Sequence, residues 1–550
     1  MRILVFIGFV FVSFCSFSQV APLKYWVQFT DKENSPYTTS NPSEYLSESA
    51  ISLRMKNGIA IDQTDLPVNP FYIEPLSSLE GVLIKHSSKW FNAVTIQIED
   101  SSYLETVLPL ISALDNVWQV KSVQTVIDEK LVIKQTVTEK SLSESISTIY
   151  GPSYAQIAIH NGHLLHEIGL RGNGIKVGVF DSGFSGVNYL GAFSKLRDEE
   201  RLKFQYDIVD DDNSVLNGGN HGKSVLSIMT AFMPDSIIGS APEADYYLFR
   251  TEDGSSEHVT EEDNWVRAAE MADSIGIQVV NSSLGYTTFE LEENNHSYED
   301  MDGNTTRISQ AADIAASKGM LIVNSAGNSG DDSWYYIGAP ADADSILAVG
   351  AVTDKGEYAW FSSRGPSFDG DVKPNVCGVG YQTVYADLTE GIKRGNGTSF
   401  SSPIIAGLAA CLWQAFPDKS NMEIIRAIES SSHLINAPND SLGYGIPDFF
   451  RAYESLSANK TFSNSGILIY PNPFYECLNI LVGNSEVNGL KLYDTSAKLV
   501  YETSWLVIGD NAAALALSDE LSHLSPGTYY LNFLNDSSVL KSDKIIKLPN

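Results

Sequence analysis

Five hundred and fifty residues are too many for one compact domain and point to roughly three or four units. Apolar residues make up 43% of the chain, enough to build sizeable cores. A formal net charge of −32 repels phosphate backbones, which argues against a nucleic-acid partner and suits an exported protein kept soluble by self-repulsion.

Met1 to Gln19 reads as a secretory signal peptide. Arg2 gives the positive start, Ile3 to Val12 is apolar throughout except for Gly8, and the small Ser16 and Ser18 precede Gln19. The apolar stretch is short for a membrane span and has no charged stop behind it. Cys15 leaves with the signal, and Cys377, Cys411 and Cys477 are an odd, scattered set that does not form a disulfide framework.

Residues 20–149 form a small α+β unit and a linker. Lys24 to Phe29 and Trp90 to Ile98 alternate as strands do. Leu104, Val107, Leu108, Ile111 and Leu114 have helical spacing, and Trp118 to Val126 returns to strand. Gln124 to Ser147 is polar, without glycine or aromatic residues, and is expected to be an exposed linker.

Across residues 150–456 strands and helices alternate. Ile175 to Phe180, Gln278 to Asn281, Met320 to Asn324 and Ile346 to Gly350 are short apolar strands, while Glu261 to Ile275 and Ile308 to Lys318 are helical. That alternation predicts an α/β fold, a mostly parallel sheet with helices on both faces. A polar linker, residues 457–465, leads to residues 466–550. This last unit is a β-sandwich-like domain whose clearest strands are Leu490 to Tyr493 and Gly527 to Phe533.

Three segments of the central unit carry nucleophilic chemistry. Val177-Gly-Val-Phe-Asp181-Ser-Gly183 delivers Asp181 at the carboxyl end of a strand, where open α/β sheets build their sites. His221 begins an apolar helical run, with Gly222 leaving access beside the ring. Gly395-Asn-Gly-Thr-Ser399-Phe-Ser-Ser-Pro403 places Ser399 just before an apolar helix, Ile404 to Phe416. There the helix's unpaired N–H groups and positive dipole end favour a developing oxyanion, and Pro403 suits the first helical turn.

These three boxes, in the order Asp, His, Ser, resemble those of the subtilisin-like serine proteases. The resemblance implies a subtilisin-like fold and a catalytic triad of Asp181, His221 and Ser399. It also implies that Ser325-Ala-Gly-Asn328-Ser-Gly330 is the oxyanion loop, with the Asn328 amide as donor. Ser283, Leu284 and Gly285 match the family's substrate-binding strand. The first side-chain pocket would lie between them and Ser325, Ala326 and Gly327, with Gly338 to Ala341 at its floor.

Residues 89–126 resemble the end of an inhibitory, fold-assisting propeptide, which makes the linker the maturation region. Residues 466–550 resemble the sorting domain of the type IX secretion system through Ile469-Tyr-Pro-Asn-Pro-Phe474, Leu490 to Asp494 and Leu524 to Leu531, although the chain ends Lys547-Leu-Pro-Asn550. The partners implied are protein or peptide substrates, the chain's own propeptide and the secretion machinery. The protein would be secreted or held at the cell surface after passing through the periplasm. No cofactor is required for such chemistry. A structural calcium is known in relatives, but its ligands are unassigned here; the acidic stretch Asp210 to Asn213 lacks EF-hand spacing and reads as a solvated loop. The rival readings are an inactive scaffold that only binds, a surface adhesion protein, and a non-protease serine hydrolase. An inactive scaffold would need a replaced triad or oxyanion residue, and none is replaced.

Overall fold

Successive side chains of a strand point to opposite faces, so a sheet covered on both sides needs apolar residues at every position. The central strands meet that demand. In the computed structural model, Val177, Val179, Val279, Leu321, Val323, Leu347 and Val349 enter one core, while Phe180, Val280 and Ile322 enter the other. The structure describes residues 23–124, 149–458, 467–470, 474, 478–482, 487–504, 513–517, 521–536 and 538–547. The signal peptide, nearly all of the Gln124 to Ser147 linker, residues 459–465 of the polar linker before the C-terminal unit, Cys477 and the last three residues lie outside them, while Ser457 and Ala458 end the helix Phe449–Ala458.

The main sheet has seven parallel strands. In spatial order they are Val376–Val379, Leu347–Val352, Leu321–Ser325, Val279–Ser282, Lys176–Asp181, Asp245–Arg250 and Leu202–Asp207. The helices His221–Thr230 and Thr398–Ala415 cover one face, and Thr260–Ile275 and Arg307–Ser317 cover the other. Cys377 and Cys411 are buried and free, and burial pushes the Cys377 thiol up to about 12, as befits core residues rather than nucleophiles. Among the described residues no helix is long and apolar enough to cross a membrane.

The N-terminal unit is a four-stranded antiparallel sheet ordered Val82–Ser88, Ala93–Ile98, Leu23–Phe29, Val117–Gln124. Trp26, Trp90 and Val123 share a core with the helices Thr260–Ile275 and Arg307–Ser317. Polar groups complete the seam. Glu270 accepts the Ser88 hydroxyl at 2.6 Å and the backbone N–H groups of Lys89 and Trp90 at 2.9 and 3.1 Å. Arg54 bridges Asp65 and Asp273 at 2.9 and 2.6 Å, Lys89 reaches Asp273 at 2.7 Å, and Lys318 reaches Asp65 at 3.2 Å. The charges of Arg54, Lys89, Lys318, Asp65 and Asp273 are tolerated because each has an opposite partner, and Glu270 because three N–H and O–H donors face it.

The C-terminal unit consists of two antiparallel sheets of three and four strands. Leu478, Ile480, Leu490, Leu492, Leu531 and Phe533 fill its core. Lys547 is itself buried there, its ammonium donating to the Leu521 carbonyl at 2.7 Å.

The helix that follows Ser399 starts earlier than its apolar run suggests. It spans Thr398–Ala415, so Pro403 lies beyond the first turn and not within it. Proline has no N–H to give the Ser399 carbonyl. The Ser283 hydroxyl donates to that carbonyl instead, at 3.0 Å.

Candidate active site

The carboxyl ends of three neighbouring strands frame one cleft of about 410 Å³, which Asp181, His221, Ser283, Leu284, Gly285, Ser325, Gly327, Asn328 and Ser399 all line. Asp181 is the last residue of its strand and is fully buried. Its carboxylate accepts the Ser182 backbone N–H at 2.7 Å and faces His221 Nδ1 at 2.8 and 3.0 Å from its two oxygens. Gly222 makes this approach possible: a Cβ there would meet the Gly183 carbonyl at 2.7 Å and Asp181 Cβ at 2.8 Å. Phe400 stacks on the outer side of the imidazole, with ring centroids 6.1 Å apart.

Burial works against protonating His221. The Asp181 charge and hydrogen bond, with a smaller contribution from Glu252, outweigh it and hold the ring above the ordinary imidazole value. Ser399 occupies the first turn of its helix, and its hydroxyl donates to the Ser283 carbonyl at 3.3 Å. No hydrogen bond joins that hydroxyl to His221 among the described residues. Catalytic hydrogen bonds are commonly loose in a free enzyme and tighten with substrate.

Asn328 follows the strand Leu321–Ser325 and is oriented by Thr398. Its Oδ1 accepts the Thr398 backbone N–H at 2.8 Å and the Thr398 hydroxyl at 3.1 Å. With Oδ1 so engaged, the Nδ2 hydrogens remain to donate into the cleft. Thr398 also accepts the Gly327 N–H at 3.2 Å and so fixes the whole loop.

Two sequence expectations are modified. The Ala326 side chain is fully buried against Ile337, Ala341 and Ala348, and its N–H is spent on the Val349 carbonyl, so it does not line the cleft. The Ser283 side chain is committed to the Ser399 carbonyl and the Asn281 amide, which leaves its backbone as the part open to a ligand. Gly338 does border the cleft, and the segment is held there by Tyr286, whose backbone pairs with Ala339 in both directions.

Several lining residues were not singled out from sequence: Glu252, Glu257, Tyr286, Trp334 and Tyr336. Glu252 accepts the Tyr286 hydroxyl at 2.5 Å and the Thr251 hydroxyl at 2.9 Å. Burial pushes its carboxyl up to about 8 despite those bonds, and Glu257 adds to the rise. Its place just after the strand Asp245–Arg250, beside the strand that bears Asp181, was the available signal.

The acidic loop at Asp210 does not fit a calcium ion. Asp210 meets Arg250 at 2.5 Å, and Asp211 accepts the Tyr206 hydroxyl at 2.5 Å, so these oxygens already have partners. Elsewhere the exposed Asp344, Asp369 and Asp371 bring one oxygen each within 4.8 Å of the others.

Residues 172–445 match the subtilase family, residues 24–140 the Bacteroidota propeptide domain of the S8 peptidases, and residues 468–548 the secretion system C-terminal sorting domain. Subtilisin E of Bacillus subtilis (strain 168) is 29% identical over 277 residues, which are 49% of this chain and 63% of that protein. Subtilisin Savinase of Lederbergia lenta is 29% identical over 278 residues, 50% of this chain and 89% of that one. Among solved structures, MycP1 from Mycobacterium smegmatis is 21% identical with a TM-score of 0.44, covering 59% of this chain and 89% of that one. Residues 172–445 are thus a subtilase domain, with a propeptide domain before it and a secretion sorting domain after it.

Proposed function

We propose that this chain is the precursor of a secreted serine endopeptidase that hydrolyses peptide bonds in proteins through an acyl-enzyme. One observation carries the proposal: the His221–Asp181 pair at 2.8 Å, Ser399 in the first turn of a helix, and Asn328 with a free amide donor all line one cleft. Ser399 Oγ attacks the scissile carbonyl while neutral His221 takes its proton and then gives it to the leaving amine. Asp181 holds the imidazole with Nε2 free to accept and stabilises the imidazolium. The Asn328 amide and the Ser399 backbone N–H, at the positive end of the helix, receive the oxyanion. Water then repeats the sequence on the acyl-enzyme.

The substrate lies extended along Ser283, Leu284 and Gly285, paired through backbone groups, and its first side chain is received beside Ser325 and Gly327. The chemistry draws on the chain's own side chains and backbone N–H groups and requires no cofactor. A structural calcium has no assigned ligands. We divide the chain into a signal peptide (1–19), propeptide and linker (20–149), catalytic domain (150–456), linker (457–465) and sorting domain (466–550). The type IX secretion machinery is the partner of the last, and the enzyme's own propeptide is the partner of the catalytic domain until maturation.

Because Asp181 raises His221, the acid limb of kcat/KM on a short peptide should fall above pH ~6.5, the ordinary imidazole value. Protonation removes the base, so activity is lost as pH falls through that limb. A profile that peaks near pH ~4 would instead indicate carboxyl catalysis.

Asn328→Ala should lower kcat by about 10²–10³, the cost measured for the corresponding donor in subtilisin, with KM changed only a few-fold. Asn328→Asp is the sharper probe. A carboxylate keeps the acceptor that binds Thr398 but cannot donate and repels the oxyanion, so kcat should fall at least as far as in Asn328→Ala with the loop still held by Thr398. Kinetics with circular dichroism as a fold control would show this; an unchanged kcat with a raised KM would reduce Asn328 to a substrate contact.

A further inference from the structure

Buried carboxylates are almost always paired with a cation, because an unpaired buried charge is costly. One group beside the cleft breaks that pattern. The loop from the strand Asp245–Arg250 into the helix Thr260–Ile275 carries Glu252, Asp253 and Glu257, the helix's first turn carries Glu261, and among the described residues none of the four forms an ion pair. Glu290, facing them, meets His258 at 3.6 Å and accepts the Glu257 backbone N–H at 3.3 Å. Glu261 is 2% exposed; one of its oxygens accepts the Asp253 N–H at 2.8 Å, and the other is buried with no hydrogen-bond partner. Glu252, Glu257 and Glu261 lie close enough to oppose one another's ionisation. The propeptide brings a compensating charge, since Lys24 is the cation that senses Asp253 and Glu261.

The wall these groups form faces the substrate path. Glu252 and Glu257 line the cleft with Ser283 to Thr287, and Glu252 acts electrostatically on His221. In an extended peptide, neighbouring side chains leave on opposite faces. If the side chain at the scissile bond enters beside Ser325 and Gly327, the next one toward the amino terminus turns to the His221 and Glu252 side.

We propose that these carboxyls form a subsite for a cationic side chain, lysine or arginine, at the residue second from the scissile bond on its amino-terminal side. The subsite presupposes the endopeptidase activity proposed above. A long basic side chain reaches the exposed Glu257 and the buried, cleft-lining Glu252, and brings to the cluster a positive charge once Lys24 of the propeptide has left.

The test uses the full chain after self-processing, with peptides that differ only at that second position: lysine, arginine, norleucine or glutamate. The kcat/KM for lysine and arginine should exceed that for norleucine by about tenfold, with glutamate lowest, and the lysine-to-norleucine ratio should drop about fivefold or more in Glu252→Gln and in Glu257→Gln. Glu257 is exposed, so its variant folds even where Glu252→Gln does not. Equal rates for lysine and norleucine overturn the subsite while leaving the endopeptidase standing, as does a preference that neither variant changes. If no peptide is cut, the endopeptidase proposal fails and the subsite with it. A rise in Tm produced by calcium alone and lost in Glu261→Gln would show that the carboxyls hold a metal, and would also overturn it.

Discussion

Ser399→Ala should yield a folded precursor that hydrolyses no peptide and keeps its propeptide attached. The hydroxyl makes one long hydrogen bond, to the Ser283 carbonyl at 3.3 Å, so its removal costs the fold only about 1 kcal/mol. The loss in kcat is on the order of 10⁶, the size found when the nucleophile of subtilisin is removed. Mass spectrometry of the purified variant reads both effects at once: an intact chain and no cleavage of added peptide. Cutting within residues 124–147 in a purified Ser399→Ala sample would show that another protease matures the enzyme. Full peptidase activity in that variant would remove the triad altogether.

Asp181→Asn should lower kcat by about 10⁴ with little change in structure, because an amide at this position favours the wrong imidazole tautomer. Asp181 now accepts the Nδ1 proton of His221 at 2.8 Å, which leaves Nε2 free to take a proton from Ser399. An asparagine amide can donate to Nδ1, placing the ring proton on Nε2 and closing the route. The same change removes the charge that outweighs burial at His221. The acid limb of the residual activity should therefore move to lower pH. An unmoved limb would mean that the limb belongs to another group.

The parallel strands were legible because a sheet with two covered faces leaves no polar position, and runs such as Val177 to Phe180 have strand length. The helix Glu48–Asn57 was not. It buries only Ala50 and Arg54, so it has no apolar stripe to read, and it is held by charge pairs with Asp65 and Asp273. The strand Val82–Ser88 was hidden by Lys85, which sits at a register shift, and by His86 and two serines, which pair through the backbone regardless of side chain. In the cleft, Asp181, His221, Asn328 and Ser399 stood out because each lies in a short local pattern at a strand or helix end. What orients them did not. Thr398 meets Asn328 across 70 residues, and Ser283 meets the Ser399 carbonyl across 116, distances over which only the tertiary fold decides contact.

The seam under the N-terminal unit acquires a second meaning once the linker is cut. While the chain is continuous, Arg54 and Lys89 are tethered to Asp273, and Glu270 to the backbone at Lys89 and Trp90, at the millimolar effective concentration a short tether gives. Cleavage turns the same contacts into an ordinary bimolecular complex, governed by dilution. Outside the cell the released volume is effectively unlimited, so escape of the inhibitor is driven by entropy rather than by any change in the contacts. Because Arg54, Lys89, Asp273 and Glu270 are buried while the interface is closed, salt screens their contacts little, and dilution is the term that changes. On the proposed maturation route, the delay between secretion and full activity would therefore be set by the volume into which the N-terminal unit is released.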